Sequence, residues 1–172
     1  NPLSDAESKS IIEVFKKLNY KNKSDYIYLC AWIAQAQIFG ALDWRFQMWI
    51  TGPRGSGKTE ILKMISSLVF SGEIYQSVTS ASIRQHLKSN SVPMIIDEAE
   101  PNNFESKRRM DSVIELIRQC SSRMNTKSLR GTASGDALEY NINSCFMLSS
   151  IQSYLPTMAD HSRFFEVEMM AN

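Results

Sequence analysis

The apolar positions of this 172-residue chain change period several times, and each change marks an element. Over Asp5 to Leu18 they fall at 11, 12, 14, 15 and 18, a helical spacing. Over Asp25 to Phe39 they fall at 26, 27, 29, 30, 33, 34 and 38, again helical, with Ser24 as its cap and Gly40 as its stop. Phe46 to Thr51 is a short apolar run, as for a strand. Glu60 to Leu68 returns to helical spacing at 61, 62, 65 and 68. A short strand at Glu73 to Val78 follows, then a helix capped by Thr79 or Ser80 that runs to about Leu87. Val92 to Glu98 is continuously apolar before its last two residues, as expected of a central parallel strand covered on both faces. Pro93 stands near its start, where a missing N–H is tolerated. Ser106 to Met124 carries a long helical stripe at 110, 113, 114, 117 and 120. Lys127 to Asn143 is rich in β-formers and holds Gly131 and Gly135, so a hairpin is expected there. Ser144 to Ser150 is another buried strand. In Phe164 to Met169, Phe165, Val167 and Met169 alternate with Glu166 and Glu168, which suits a half-exposed edge strand. The order predicts a three-layer α/β fold: N-terminal helices, then a central mostly parallel sheet with a hairpin inserted before the Ser144–Ser150 strand. Residues 1–43 form a helical segment packing on a core of 44–172. No internal repeat or low-complexity segment interrupts it.

Between the strand ending at Thr51 and the helix beginning at Glu60 lies Gly52-Pro53-Arg54-Gly55-Ser56-Gly57-Lys58-Thr59. It fits G-x-x-x-x-G-K-[ST], the phosphate-binding loop of P-loop NTPases. The chemistry follows from the residue types. Glycines let backbone N–H groups turn inward onto phosphate oxygens, and the following helix adds the positive end of its dipole. Lys58 reaches β- and γ-phosphates, and the Thr59 hydroxyl suits Mg²⁺. A strand before the loop and a helix after it are the context this motif requires.

Asp97-Glu98 ends an apolar strand, and ligands of parallel sheets bind beyond the carboxyl ends of the strands. These carboxylates are therefore expected beside the phosphate loop. Asp97 would hold Mg²⁺ through water, and Glu98 would position and polarise an attacking water. That pair favours hydrolysis over phosphoryl transfer to a small metabolite. Ser149 and Ser150 end another strand; they are simple strand caps or contacts to the γ-phosphate or the lytic water. Arg163 precedes the last strand; it is a surface arginine or a guanidinium that reaches a neighbouring subunit's γ-phosphate. Asn22-Lys23-Ser24-Asp25 matches the guanine-reading string of GTPases but precedes the phosphate loop rather than following it, so ATP is preferred over GTP. His86 and His161 are assigned no chemistry.

Composition excludes little and locates less. Hydrophobic residues make up 43% and charged ones 22%, ordinary for a globular protein, and the net charge is +1. Nucleic-acid contact would have to come from a local patch. Lys107, Arg108, Arg109, Arg118, Arg123, Lys127 and Arg130 form one, opposed only by Asp111 and Glu115. A solvated helix face explains such a run; the alternative places Lys127 and Arg130 on a hairpin against the phosphates of a nucleic-acid strand. Cys30, Cys120 and Cys145 are far apart, odd in number and set in apolar runs, so buried free thiols in a reducing compartment are expected. No signal-peptide pattern is visible. The longest apolar stretch, Tyr26 to Leu42, carries Gln35 and Gln37 and is too short and polar for a bilayer, so the expected location is cytoplasmic, with no membrane partner. A start at Asn1 rather than Met is expected of a piece of something longer.

Taken in order, Gly52–Thr59, then Met94-Ile95-Ile96-Asp97-Glu98, then a polar-ended strand followed by Arg163 before an edge strand resemble the AAA+ ATPase core. The segment Lys127–Asn143 looks like the extra hairpin of the helicase-type AAA+ branch. Within that branch Trp49–Thr59, Ile96-Asp97-Glu98-Ala99-Glu100 and Asp160-His161-Ser162-Arg163 look like the ATPase domains attached to phage and plasmid primases, relatives of superfamily III helicases. The likeness covers roughly residues 44 to 170. It implies Lys58 and Thr59 as the Walker A pair, Asp97 and Glu98 as the Walker B pair, Ser149 or Ser150 as sensor 1, and Arg163 as an arginine finger supplied in trans. Of the parts this resemblance implies, the small helical lid is the one not expected within these residues. The resemblance implies an ATP- and Mg²⁺-dependent motor of a DNA replication protein. It would work as a homo-oligomeric ring, a hexamer, on single-stranded DNA, with primase or replication domains in the same chain. Two other readings stay open: an AAA+ ATPase that remodels or loads proteins, and an assembly switch with slow turnover.

Overall fold

A computed structural model of the chain describes residues 3–70, 72–122, 127–131 and 137–171, with 127–131 and 137–141 as backbone. Two helices come first, α1 (Asp5–Lys16) and α2 (Tyr26–Gln35), then a 3₁₀ turn at Phe39–Ala41. The core then alternates: β1 (Gln47–Thr51), α3 (Lys58–Leu68), β2 (Ile74–Tyr75), α4 (Ser80–Leu87), β3 (Met94–Ile96) and α5 (Phe104–Cys120). After it come β4 (Lys127–Gly131), β5 (Ala137–Asn141), β6 (Phe146–Ser150), α6 (Met158–His161) and β7 (Phe164–Glu168).

Five strands form one sheet in the order β2-β3-β6-β1-β7, and every pairing in it is parallel. β1 and β6 are buried along their whole length, which is why they read as unbroken apolar runs. Strand alternation sorts their side chains between two cores. Met48, Ile50, Ile95, Met147 and Val167 face Phe15 of α1, Leu29 and Trp32 of α2, and Ile61, Leu62 and Ile65 of α3. Trp49, Met94, Ile96, Phe146, Leu148 and Phe164 face Ile83 and Leu87 of α4 and Val113, Ile114 and Ile117 of α5. The result is a helix–sheet–helix sandwich with the N-terminal helices sharing the α3 layer. β4 and β5 form a separate antiparallel hairpin before β6, with Lys127 opposite Asn141 and Gly131 opposite Ala137.

Several expected boundaries move, each for a local reason. α2 stops at Gln35 rather than running to Gly40, because the Gln35 side chain leaves the helix to bind the Phe46 backbone twice. Its amide donates to Phe46 O (3.0 Å) and its carbonyl accepts from Phe46 N–H (3.1 Å), as a strand partner would. Ser24 does not cap it: Asp25 occupies the cap position and makes no side-chain bond to the helix. Strand β3 ends at Ile96, two residues early, since Glu98 turns the chain out of the sheet at a positive φ of 56°. The edge strand β2 is cut to two residues, paired only with β3. α4 takes Thr79 as its cap. α5 starts two residues before the expected Ser106, because Asn103 and Ser106 form a reciprocal capping box: Ser106 N–H donates to Asn103 Oδ1 and Asn103 N–H to Ser106 Oγ, each at 2.8 Å. β7 is an edge strand, with Val167 and Met169 buried, but Phe165 is 41% exposed at its rim, stacked on Tyr28 at 4.8 Å. Cys120 and Cys145 are buried free thiols, and Cys30 is only half-buried.

Candidate functional site

Loop 52–59 leaves the carboxyl end of β1 and enters α3 directly. Gly57 caps that helix at φ 88°, in the left-handed region, which turns the chain into the helix without a side-chain cap. Gly52 is required by packing as well as by its φ of 151°: a Cβ there would lie 2.5 Å from the Met169 carbonyl and 2.9 Å from Ser56 Oγ. Ser56 is buried and its hydroxyl has no hydrogen-bond partner among the described residues. Lys58 Nζ donates to the carbonyls of Gly52 (2.6 Å) and Pro53 (3.0 Å), so its ammonium is held within the loop.

A cleft of about 750 Å³ opens beyond this loop. Its walls are Arg54 to Glu60 on one side and Ile96 to Glu100 with the start of α5 on the other, and Ser150 borders it between them. Sheet order explains the meeting: β6 lies between β1 and β3, so all three carboxyl ends converge. Thr59 Oγ1 donates to Asp97 Oδ2 at 3.3 Å, bringing the loop's hydroxyl and the buried strand-end carboxylate together. Asp97 Oδ1 accepts from Glu98 N–H (2.9 Å), which sets the turn at that residue. Glu98 is exposed to the cleft in its left-handed conformation, a placement that strained functional residues often take. The arrangement can hold a polyanion on backbone N–H groups and Lys58, and a hard cation on Thr59 and Asp97.

The two strand-end serines part company. Ser150 Oγ accepts from Trp49 Nε1 (2.7 Å) and donates to Gln152 O (2.6 Å) at the rim of the cleft. Ser149, one residue earlier, points into the opposite layer; its hydroxyl is fully buried and unpartnered among the described residues.

Arg163 lies at the other end of the sheet. Its carbonyl accepts from Gln47 N–H at the start of β1 (2.9 Å), so the length of β1, about 15 Å at strand rise, separates it from its own cleft. Its Nη1 donates to Ala159 O (2.6 Å), and its guanidinium stands 5.9 Å from the Trp44 ring centre. The hairpin springs from this same end, since Ser122 bridges Trp44 and Asn143 meets Arg45. Lys127 and Arg130 sit on β4, opposite Asn141 and Leu138. Their side chains, and Arg123, lie outside the described residues.

Sequence reading passed over what organises this amino end. Arg45 is wholly buried; its Nε donates to Phe39 O (2.8 Å), its Nη1 to Cys120 O (3.0 Å) and its Nη2 to Asn143 Oδ1 (3.3 Å). Gln47, also buried, accepts from Phe146 N–H (2.6 Å) and donates to Ser121 Oγ (3.3 Å). Only their polarity beside an apolar run signalled them. The segment from Ser150 to Arg163 is tied to α5 at two points: Tyr154 donates to Asp111 (2.7 Å), which raises the phenol's pKa, and Arg118 faces the buried Asp160 at 3.7 Å. No helix among the described residues is long and apolar enough to cross a membrane.

No protein-family model and no curated protein matches this chain. Solved structures do. The apo structure of the NrS-1 C-terminal region superposes at a TM-score of 0.55 with 14% identity, over 93% of this chain and 38% of that one. Its A form gives 0.52 with 13% identity, over 93% and 37%. The X-ray structure of JCV helicase gives 0.50 with 11% identity, over 98% of this chain and 46% of that one. The chain thus spans less than half the length of each of these structures, and at such identities the likeness is one of fold. What the comparisons establish is a helicase-like α/β fold.

Proposed function

We propose that this chain is the Mg²⁺-ATP-hydrolysing motor core of an AAA+-type replication protein, working as an oligomeric ring on single-stranded DNA. One observation carries the reading: the phosphate-loop residue Thr59 touches Asp97 inside a cleft that Glu98 and Lys58 also line. The likeness to JCV helicase supports the helicase part.

The residues fit the groups they would hold. Gly55 and Gly57, where a Cβ would project into open space, leave room for phosphates along the loop, Ser56 offers a buried hydroxyl with no partner among the described residues, and Lys58 supplies the cation. Thr59 and Asp97 would take Mg²⁺, which keeps most of its waters and needs few protein oxygens. When bound, Mg²⁺ neutralises charge on the β- and γ-phosphates. Glu98 positions a water and receives its proton as the water oxygen attacks the γ-phosphorus. The bond from that phosphorus to the β–γ bridging oxygen breaks, and ADP leaves with the electron pair. Ser150, fixed by Trp49, orients the γ-phosphate or the water. Arg163 cannot serve its own cleft across the sheet, so it serves a neighbour's, and the β4–β5 hairpin carries Lys127 and Arg130 toward DNA. The primase or replication domains of this reading lie outside these residues.

The test is ATP turnover with and without single-stranded DNA. Lys58→Ala and Glu98→Gln should each lose at least about 100-fold in kcat. Stimulation by DNA that disappears in Lys127→Ala/Arg130→Ala would support a DNA motor. Parent-rate hydrolysis by Lys58→Ala would remove the basis of the reading, and turnover indifferent to DNA would favour protein remodelling.

A further inference from the structure

The cleft has a cation that the phosphate-loop motif does not account for. Lys107, Arg108 and Arg109 are consecutive in α5, and only Arg109 lines the cleft. Helix geometry explains the selection. Ser106, Arg109 and Met110 share one face at spacings of three and four, and Ser106 and Met110 are the buried members of it. Lys107 and Arg108 are rotated away from that face. Arg109 is exposed to the cleft and makes no hydrogen bond or ion pair among the described residues. At the neighbouring N-terminus of α5 the Asn103–Ser106 box already occupies the Asn102, Asn103 and Ser106 amides.

Position decides which anion. Arg109 stands on the wall that follows Asp97 and Glu98, across the cleft from the loop. A polyphosphate laid along the loop would point its last phosphate toward that wall. Charge points the same way. Glu60, Asp97, Glu98 and Glu100 line the cleft against Arg54, Lys58 and Arg109, so a terminal phosphate arriving beside Glu98 needs a second cation close by. A guanidinium matches it with two parallel N–H donors.

We propose that Arg109 is a second cation of the nucleotide site, supplied by the same subunit, that contacts the terminal phosphate and makes the cleft prefer a nucleoside triphosphate to a diphosphate. The proposal rests on the nucleotide reading above. It is tested on the 172-residue chain by titrating Mg²⁺-ADP and a Mg²⁺-bound ATP analogue with a β,γ-imido bridge, using calorimetry. Lys58→Ala should weaken both ligands. Arg109→Ala should weaken the imido analogue about 10- to 100-fold and ADP less than about twofold, and Arg109→Lys should recover only part of the loss. Being exposed, Arg109 should leave the melting temperature unmoved when replaced. Equal loss for both ligands, or no loss for the analogue, overturns the proposal while leaving the nucleotide site intact. So does lost affinity for a single-stranded oligonucleotide with the analogue unaffected, which would assign Arg109 to nucleic acid instead. If the unmodified chain binds neither nucleotide, the reading of the cleft fails first, and Arg109's role with it.

Discussion

Ser149 and Ser150 are adjacent and chemically identical, yet the sheet gives them opposite tasks. Ser150 accepts the indole N–H of a fully buried Trp49, so Ser150→Ala strands a buried donor and should cost about 1–3 kcal/mol in urea unfolding while also slowing turnover. The Ser149 hydroxyl has no partner among the described residues; Ser149→Ala should leave stability unchanged or slightly raised, because a buried hydroxyl without a bond is itself unfavourable. The cysteines divide by burial in the same way. Desolvation pushes the Cys120 thiol up to about 12, Cys145 higher still, and half-buried Cys30 up less. The thiolate is the reactive form, so a disulfide reagent at neutral pH should label Cys30 slowly and the other two only after unfolding. The sign for stability follows. In the unfolded chain these thiols ionise near their ordinary pKa, whereas in the fold they stay neutral. The contribution is complete at neutral pH and should shrink as pH climbs from the ordinary thiol range toward about 12, as denaturant midpoints against pH would show.

Elements show where sequence reading succeeds and where it stops. β1, α3, β3 and β6 were legible because burial on both faces, or on one helical stripe, leaves a periodic trace in the residues themselves. The turn from β1 into α3 was legible because its glycines and the Lys58-Thr59 pair stand at fixed spacing between a strand and a helix, and the structure has that strand, loop and helix in order. α6 was missed: one four-residue turn carries no period, and only the Thr157–Asp160 capping box marks it. The end of α2 was misplaced because Gln35 trades its helical continuation for a contact with Phe46 eleven residues away, and no local pattern records that. Arg45 is the largest such case. A lone arginine before a strand reads as surface, yet it joins the 3₁₀ turn, the end of α5 and the hairpin base through three bonds. Arg45→Met keeps the volume but leaves the Phe39 and Cys120 carbonyls without that donor in a dry core. It should cost about 3 kcal/mol, roughly 10 °C in melting temperature, and Arg45→Lys should not rescue it, because an ammonium cannot span the three acceptors.

At the scale of the molecule, the cleft and Arg163 occupy opposite ends of one sheet. The cleft lies beyond Thr51, and Arg163 is hydrogen-bonded beside Gln47. β1 is a rigid central strand, buried throughout, so no bending brings the two ends together within a subunit. In the ring proposed above, a head-to-tail contact between copies would bring them together, and repeated with rotation it would close. That geometry makes a prediction about mixtures. If Arg163 serves a neighbour's cleft, Arg163→Ala keeps an intact cleft and lacks the proposed finger, while Lys58→Ala keeps that finger and lacks a working cleft. Each variant alone should turn over ATP at least about 100-fold more slowly than the parent chain. Mixed in equal amounts, they should recover about a quarter of the parent activity, because a random head-to-tail ring places an intact cleft against an intact Arg163 at that fraction of interfaces. The recovery should grow with protein concentration and vanish on dilution, as assembly does. An arginine acting within its own subunit gives no recovery at any concentration, and that outcome would return Arg163 to its hold on Ala159 and Trp44 as a purely structural residue.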